Sequence, residues 1–443
     1  MPFDPTPYRA RRTRLLTQLA EQGGGVAILP TAPEAVRNRD SHYPYRFDSY
    51  FWYLSGFAEP EAVVVLVADA DGKSQEILFC RDKNEEREIW EGYRHGPAAA
   101  AERFGFDAAF SITSLDEKIG GLLENRRNVF FAFGASADWD ARLARWLEAV
   151  RAQARAGKTA PTAIHDVRSR LDLMRLTKDV HEVACMQRAA DIASGAHRRA
   201  MSFCRPGQME YEIEAEFLHE FRRSGAQAPA YGTIVAGGAN ACCLHYQENS
   251  DRLADGALLL IDAGCEVDGY ASDITRTFPV NGKFSAVQRD VYEIVLAAQA
   301  AAIAVIKPGV SFMAPHDAAL AVLVQGLLDL KLIAGDGGLA GALERTDYKR
   351  FYMHRTSHWI GLDVHDAGEY KLGEQWTILQ PGMALTVEPG LYLRPADDLP
   401  AGLAGIGIRI EDDVLVTETG SRVLTTPPKT VAEIEATMAP HFA

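Results

Sequence analysis

The sequence predicts an α/β domain over residues 1–175 followed by an α+β domain over residues 176–443, and three observations carry that expectation. Helical and strand patterns alternate from Arg9 to Ala154. Beyond Lys178, long helical patterns and hairpin-forming strands follow in mixed order, as α+β domains require. Between the two, Ala160 to Lys178 shows no regular period. A chain of 443 residues is long enough for two or three domains and a sizeable core.

In the first domain, Arg9–Gln22 carries apolar residues at helical spacing and stops at Gly23-Gly24-Gly25. Val26–Leu29 and Ala62–Val67 read as buried strands, and Glu76–Cys80 as a third before a charged stretch holding Trp90. Val129–Phe133 is a further strand and Trp139–Ala154 a helix. In the second domain, Asp179 and Glu182 stand at capping-box spacing ahead of a helix to Phe203. Helices are expected at Met209–Ser224, Ser285–Ile306 and Phe312–Leu332. Strands are expected at Thr233–Ala236, Leu258–Phe278, Ala384–Glu388 and Ile406–Thr417, and Gly335–Gly341 is expected to be an exposed loop.

Composition narrows the function. With 47% hydrophobic and 24% charged residues the chain is neither disordered nor fibrous. Its 46 Lys+Arg against 60 Asp+Glu give a formal charge of −14, the wrong sign for a general nucleic-acid binder. The first residues carry prolines and charges where a secretory signal needs an apolar run of about 7–15 residues, and no stretch approaches the roughly 20 of a spanning helix. The six cysteines are scattered without a C-x-x-C pair, so a reduced, cytoplasmic protein is expected.

The chemistry concentrates in ALLLIDAGCEVDGYASDITRTF. Asp268-Gly269 is a strong two-residue hairpin signal. With Val267 opposite Tyr270, Asp273 falls opposite Gly264, and Asp262 points to the same face two residues away. The two carboxylates then lie diagonally, on the order of 5–8 Å apart, and a cation between them would remove their repulsion. His358 in MHRTSHWIGLDVHDAG, Glu388 ending an apolar strand and Glu411 inside another complete a set of four carboxylates and one imidazole. Four negative charges match two divalent cations. Oxygen-rich ligation without thiolate favours ions such as manganese. A two-metal centre can hold a bridging hydroxide at neutral pH, so hydrolysis is the expected chemistry. Strand alternation puts Arg409 on the face of Glu411, suited either to orient a ligating carboxylate or to form an ordinary cross-strand ion pair. His245 and His365 are candidates to hydrogen-bond a substrate carbonyl or developing oxyanion. His354 and His358 stand at helical spacing, but the residues that follow suit a loop or strand better.

The stretches IDAGCEVDGYASDITRTFPVNGKF, HRTSHWIGLDVHD, LTVEPGLY and GIGIRIEDD, with RNRDSHYPYRFDSYFWYLSGFAEPEA in the first half, resemble bacterial aminopeptidase P (Xaa-Pro aminopeptidase). That family belongs to the pita-bread metallopeptidase superfamily, which includes prolidase and methionine aminopeptidase. The resemblance implies an aminopeptidase P amino-terminal domain followed by a pita-bread catalytic domain. It implies that Asp262 and Asp273 bind one metal, that His358 binds the other, and that Asp273, Glu388 and Glu411 bridge or complete the pair. Glu388 would help activate the hydroxide, His245 and His365 would contact substrate and intermediate, and His354 would help form a proline pocket. Asp40 and Arg409 would take part in proton movement, Tyr392 would lie near the site, and Trp90 would reach a neighbouring subunit's site, unless it is a buried core residue. Arg355 departs from the pattern, following His354 where a small residue is common. It either narrows the proline pocket, binds the substrate's distal backbone or carboxylate, or points to solvent. Arg168 is a weaker candidate for the same contact, with a surface ion pair as the alternative.

The expected activity is release of the amino-terminal residue from peptides with proline second, through attack of a metal-bridging hydroxide. Two manganese ions per chain and a homotetramer or homodimer are expected, with neither nucleic acid nor membrane as partner. A prolidase restricted to Xaa-Pro dipeptides, or a non-catalytic binding module, are the rival readings, and a two-metal phosphatase is disfavoured by the acidic charge and the lack of a phosphate-cradling loop.

Overall fold

The computed structural model describes residues 3–400 and 402–439. The chain divides into two compact units, Met1–Met174 and Arg175–Ala443. Among the described residues no helix is long and apolar enough to cross a membrane.

The first unit is built on a six-stranded mixed sheet in the spatial order Ala108–Ser111, Ser74–Cys80, Val63–Ala68, Gly25–Pro30, Asn128–Phe130 and Ala163–His165. Its three middle strands run antiparallel and the outer pairings are parallel. Every residue of Val63–Ala68 is buried, which is why this strand reads as an unbroken apolar run rather than an alternating one. Helices Leu115–Leu123 and Ala137–Arg151 cover the sheet through Leu115, Ile119, Leu143 and Trp146. In helix Thr6–Glu21 the fully buried Arg12 donates to Glu76 at 2.6 Å, to the Leu54 carbonyl at 2.8 Å and to the Gly105 carbonyl at 2.7 Å, so its charge is paired where an unpaired one would be costly.

Two expectations for connecting segments are corrected, and a third segment takes a structure that the sequence left unassigned. The irregular Ala160–Lys178 stretch contains strand Ala163–His165 and helix Arg168–Leu176. The charged stretch around Trp90 is a helix, Glu85–Glu91, capped by the Asn84 side chain. Gly335–Gly341 runs into helix Gly338–Arg345 rather than remaining loop.

In the second unit, helix Val180–Phe203 starts at the expected Asp179–Glu182 capping box. It packs with Glu210–Arg223, Ala286–Val305 and Ala314–Asp329 around two antiparallel ribbons that share one core. The first ribbon is the hairpin read from the sequence. Asp268 and Gly269 have φ of 50° and 81°, the left-handed pair of a type I′ turn, and Val267 does oppose Tyr270. The same register continues to Asp262 opposite Thr275 and Leu258 opposite Pro279. Between these two ladders the pairing lapses around Gly264, where a Cβ would lie 1.7 Å from the Ser272 carbonyl oxygen. Only glycine permits that approach.

The second ribbon repeats the device. Ala384–Val387 pairs with Asp412–Val416, Val387 opposing Asp412, while Gly390–Leu393 pairs with Ile406–Arg409, Gly390 opposing Arg409. One register runs through both ladders, and it sets Glu388 opposite Glu411 at the lapse between them. The expectation of a single strand over Ile406–Thr417 is therefore corrected. The strand breaks at Ile410-Glu411, and Glu411 sits in the break. There its backbone N–H donates to the Thr275 carbonyl of the first ribbon at 3.0 Å. In both ribbons the pairing thus lapses beside acids, Asp273, Glu388 and Glu411 lying in the gaps and Asp262 at the last paired position.

Candidate active site

Asp262 ends its strand and Asp273 lies in the gap before Thr275–Pro279. The Tyr231 hydroxyl lies 2.7 Å from Asp262 Oδ1 and 2.5 Å from Asp273 Oδ1, so the two carboxylates converge on one atom as the hairpin register requires. Burial and the adjacent carboxylates push the Tyr231 pKa well above its usual value, which keeps the phenol neutral.

Asp273, His358 and Glu411 bring one ligand atom each within 4.8 Å of one another. His358 Nδ1 donates to the Trp359 carbonyl at 3.0 Å, which leaves Nε2 aimed inward, 3.4 Å from Asp273 Oδ2 and 3.7 Å from Glu388 Oε1. All five acids and imidazoles expected as metal ligands line one cavity of about 470 Å³. A cavity of about 540 Å³ in the first unit, against Tyr50, Phe131 and Trp139, has no histidine in its lining.

The electrostatics fit a bound cation. Burial, the His358 and Arg409 charges opposing and Asp273 and Asp262 adding, pushes Glu388 up to about 7. Glu411 is raised well above its usual value by burial and then by Asp273, Glu388 and Asp262. Burial would depress His358, yet the hydrogen bond to Asp273 and the charges of Glu388 and Asp273 carry it up to about 9. Carboxylates that resist ionising together and an imidazole that holds a proton mark a site short of positive charge. The oxygen-rich donor set with one nitrogen suits a divalent ion.

Supporting groups hold these side chains in place. Arg409 donates to Asp262 Oδ2 at 2.7 Å, to the Thr275 hydroxyl at 3.0 Å and to the Tyr392 hydroxyl at 3.0 Å. Thr275 in turn donates to Glu411 Oε2 at 2.6 Å. Arg409 therefore grips Asp262 directly and reaches Glu411 only through Thr275, where strand alternation had set it beside Glu411. The Tyr392 hydroxyl donates to His354 Nε2 at 2.8 Å, and His354 Nδ1 donates to the Arg355 carbonyl at 2.8 Å. Burial and the Arg409 charge hold His354 down to about 3, so it is neutral, and with both nitrogens engaged it offers the cavity its ring. Segment 353–358 is not helical, as the sequence indicated. The His365 ring lies 4.1 Å from that of His358, and His245 lines the same cavity.

Asp40 and Trp90 belong to the first unit. Asp40 lies in an exposed turn between strands Val36–Asn38 and Ser41–His42. Trp90 is 82% exposed, beside Ile89 at 80% and Tyr93 at 93%, which overturns the buried-core alternative. Arg168 pairs with Asp166 at 2.6 Å, the surface ion pair held as its alternative.

Sequence reasoning missed Tyr231, Thr275 and Asp413. Thr275 was within reach, because the hairpin register that paired Gly264 with Asp273 also pairs Asp262 with Thr275. Asp413 accepts from the Asp273 backbone N–H at 3.1 Å while its buried Oδ1 has no hydrogen-bond partner among the described residues. Tyr231 sits in APAYGT, which carries no periodic signal.

Residues 8–130 match the aminopeptidase P N-terminal domain, and residues 184–418 match metallopeptidase family M24. The chain is 45% identical to the Xaa-Pro aminopeptidase of Escherichia coli (strain K12), over 97% of each chain. It superposes on the Pseudomonas aeruginosa aminopeptidase PepP with a TM-score of 0.95 at 48% identity, covering 99% of both chains. A zinc-substituted Escherichia coli aminopeptidase P in complex with product matches with a TM-score of 0.95 at 43% identity, over 100% of this chain and 99% of that one. With both halves of the chain matched, the protein belongs to metallopeptidase family M24 and carries an aminopeptidase P N-terminal domain.

Proposed function

We propose that the protein is a metal-dependent exopeptidase that releases the amino-terminal residue from peptides with proline in the second position. The observation that carries this reading is the convergence of Asp262, Asp273, His358, Glu388 and Glu411 on one cavity that also presents His245, His354 and His365. The 45% identity to a relative named Xaa-Pro aminopeptidase supports the choice of bond. Proline lacks an N–H and has a fixed φ, so an Xaa-Pro bond needs a dedicated pocket. The His354 ring, locked by Tyr392 and its own Nδ1 bond, supplies a rigid wall for one.

Two divalent ions, manganese from the hardness of the donors, would be held by those five residues. When bound they supply a Lewis acid for the scissile carbonyl and a water acidified toward neutral pH. Glu388, lining the cavity beside His358, takes the proton of the attacking water at its carboxylate. His365 and His245 hydrogen-bond the substrate carbonyl as charge develops on its oxygen. Arg409 orients Asp262 and opposes the rise that burial imposes on its pKa. Trp90 reaches the site of a neighbouring copy in a homotetramer or homodimer, and its exposure supports this. All six cysteines are free, which supports a cytoplasmic location.

The test is hydrolysis of an Xaa-Pro-Yaa tripeptide and of the matching Xaa-Ala-Yaa tripeptide by manganese-loaded protein. Release of Xaa from the first alone supports the reading; equal cleavage of both, or of neither, refutes it.

A further inference from the structure

The catalytic cavity is lined by two guanidinium groups in opposite situations. Arg409 is buried and spends its donors on Asp262, Thr275 and Tyr392. Arg355 is exposed, and its guanidinium carbon rests 4.5 Å from the centre of the Trp376 ring. Among the described residues no carboxylate or carbonyl accepts from the Arg355 side chain; only its backbone oxygen is engaged, by His354. Lys371 stands 5.4 Å from the same ring, but its ammonium is taken by Glu374 at 3.0 Å. Stacking on an aromatic face fixes a guanidinium in place without consuming its N–H fork, which is shaped for a carboxylate.

Position narrows the ligand. Arg355 directly follows His354, the proposed wall of the proline pocket, while Trp376 lies outside the cavity lining. The charge therefore sits at the rim, beyond the place where proline itself is held. One further residue of extended peptide spans at most about 3.3–3.6 Å, which brings the terminus of a three-residue substrate outward toward that rim. We propose that Arg355 binds the C-terminal carboxylate of the third residue, so that free tripeptides of the form Xaa-Pro-Yaa are the favoured substrate class. This rests on the Xaa-Pro reading above and adds a length and charge preference to it. A longer peptide passes its carboxylate beyond the guanidinium, and an amidated one offers no charge.

The experiment compares kcat/KM of the manganese-loaded protein on four substrates sharing the same first two residues: a tripeptide acid, its C-terminal amide, a pentapeptide and the Xaa-Pro dipeptide. A charge-assisted hydrogen bond corresponds to a preference of about tenfold or more for the tripeptide acid over its amide, carried mainly by KM. The preference shrinks as salt rises. Arg355→Gln should bring the acid-to-amide ratio close to one, and Arg355→Lys should keep part of it. Equal turnover of acid and amide by the unsubstituted protein, a comparison that needs no variant to fold, overturns the proposal. So does a ratio that Arg355→Gln leaves intact, and so does an acid preference confined to the dipeptide. Failure to cleave any of the four would overturn the peptidase reading and this proposal together, an outcome distinct from equal cleavage.

Discussion

Glu388 and Glu411 face each other across an antiparallel ribbon at the one place where its pairing lapses. The ladders on either side, Val387 with Asp412 and Gly390 with Arg409, share a register that would pair the two acids. Instead both side chains turn into the cavity. Regular strands alternate their faces, so directly opposed acids would share one face of the ladder; the break lets Glu411 turn to the first ribbon at Thr275.

Removing one of the crowded acids separates function from stability. Glu388→Gln should lower kcat by a factor of about 10²–10⁴, the usual contribution of a positioned proton acceptor. The metal-stripped variant should unfold at the same temperature as the parent or higher, since burial and like charge already raise Glu388 and Glu411. Steady-state kinetics checks the first half, and a thermal-unfolding scan of the chelator-treated proteins checks the second.

Divalent metal should stabilise the fold measurably. A ligand that binds only the native state adds about 2.7 kcal/mol at a hundred times its Kd. Chelation should lower Tm, and restoring manganese should recover it. A Tm indifferent to metal would contradict the assignment of these carboxylates as ligands.

Arg409 acts through Asp262 and Tyr392. Arg409→Lys keeps a charge but cannot span Asp262, Thr275 and Tyr392 at once, so activity or metal affinity should fall by about 10–100-fold. Tyr392→Phe leaves Asp262 gripped but frees the His354 ring, and its effect should appear in KM more than in kcat. Steady-state kinetics on one tripeptide distinguishes the two patterns.

Asp366, next to His365, anchors the segment that carries the site histidines. It pairs with Arg175 at 2.6 Å and Lys178 at 2.8 Å, all three fully buried. Burial pushes its carboxyl up, but the Lys178 and Arg175 charges outweigh this and hold it below the usual value. A carboxylate with a lowered native pKa adds stability that is complete above its unfolded pKa of about 3.9 and is lost as pH falls through the native value. Asp366→Asn removes the carboxylate facing two buried cations, of which Arg175 keeps its ion pair with Asp363 at 2.7 Å, and should cost about 3–5 kcal/mol at neutral pH. The loss should shrink below about pH 4, as chemical denaturation across that range will show.

Much of this site could be read from residue order because a two-residue turn fixes register. Asp268-Gly269 was enough to pair Val267 with Tyr270 and so to aim Asp262 and Asp273 at one point. The helices with capping boxes were equally legible, since their start signals are local. The break at Ile410-Glu411 was not, because IGIRIEDDVLV alternates and pairs like a continuous strand; only the first ribbon crossing at Thr275 pulls Glu411 out of line. Tyr231 was hidden for a similar reason, its role arising from where the chain returns in space. Helix Gly338–Arg345 forms despite its glycines, with Ala342 buried against its neighbours, an override of weak propensity by packing.

The most direct test of the central claim is tripeptide hydrolysis by metal-stripped protein to which manganese, zinc or nothing is returned. The account predicts no release of the first residue from Xaa-Pro-Yaa without metal and restored release with manganese. Full activity in the stripped protein, or silence in the manganese-loaded one, would contradict it.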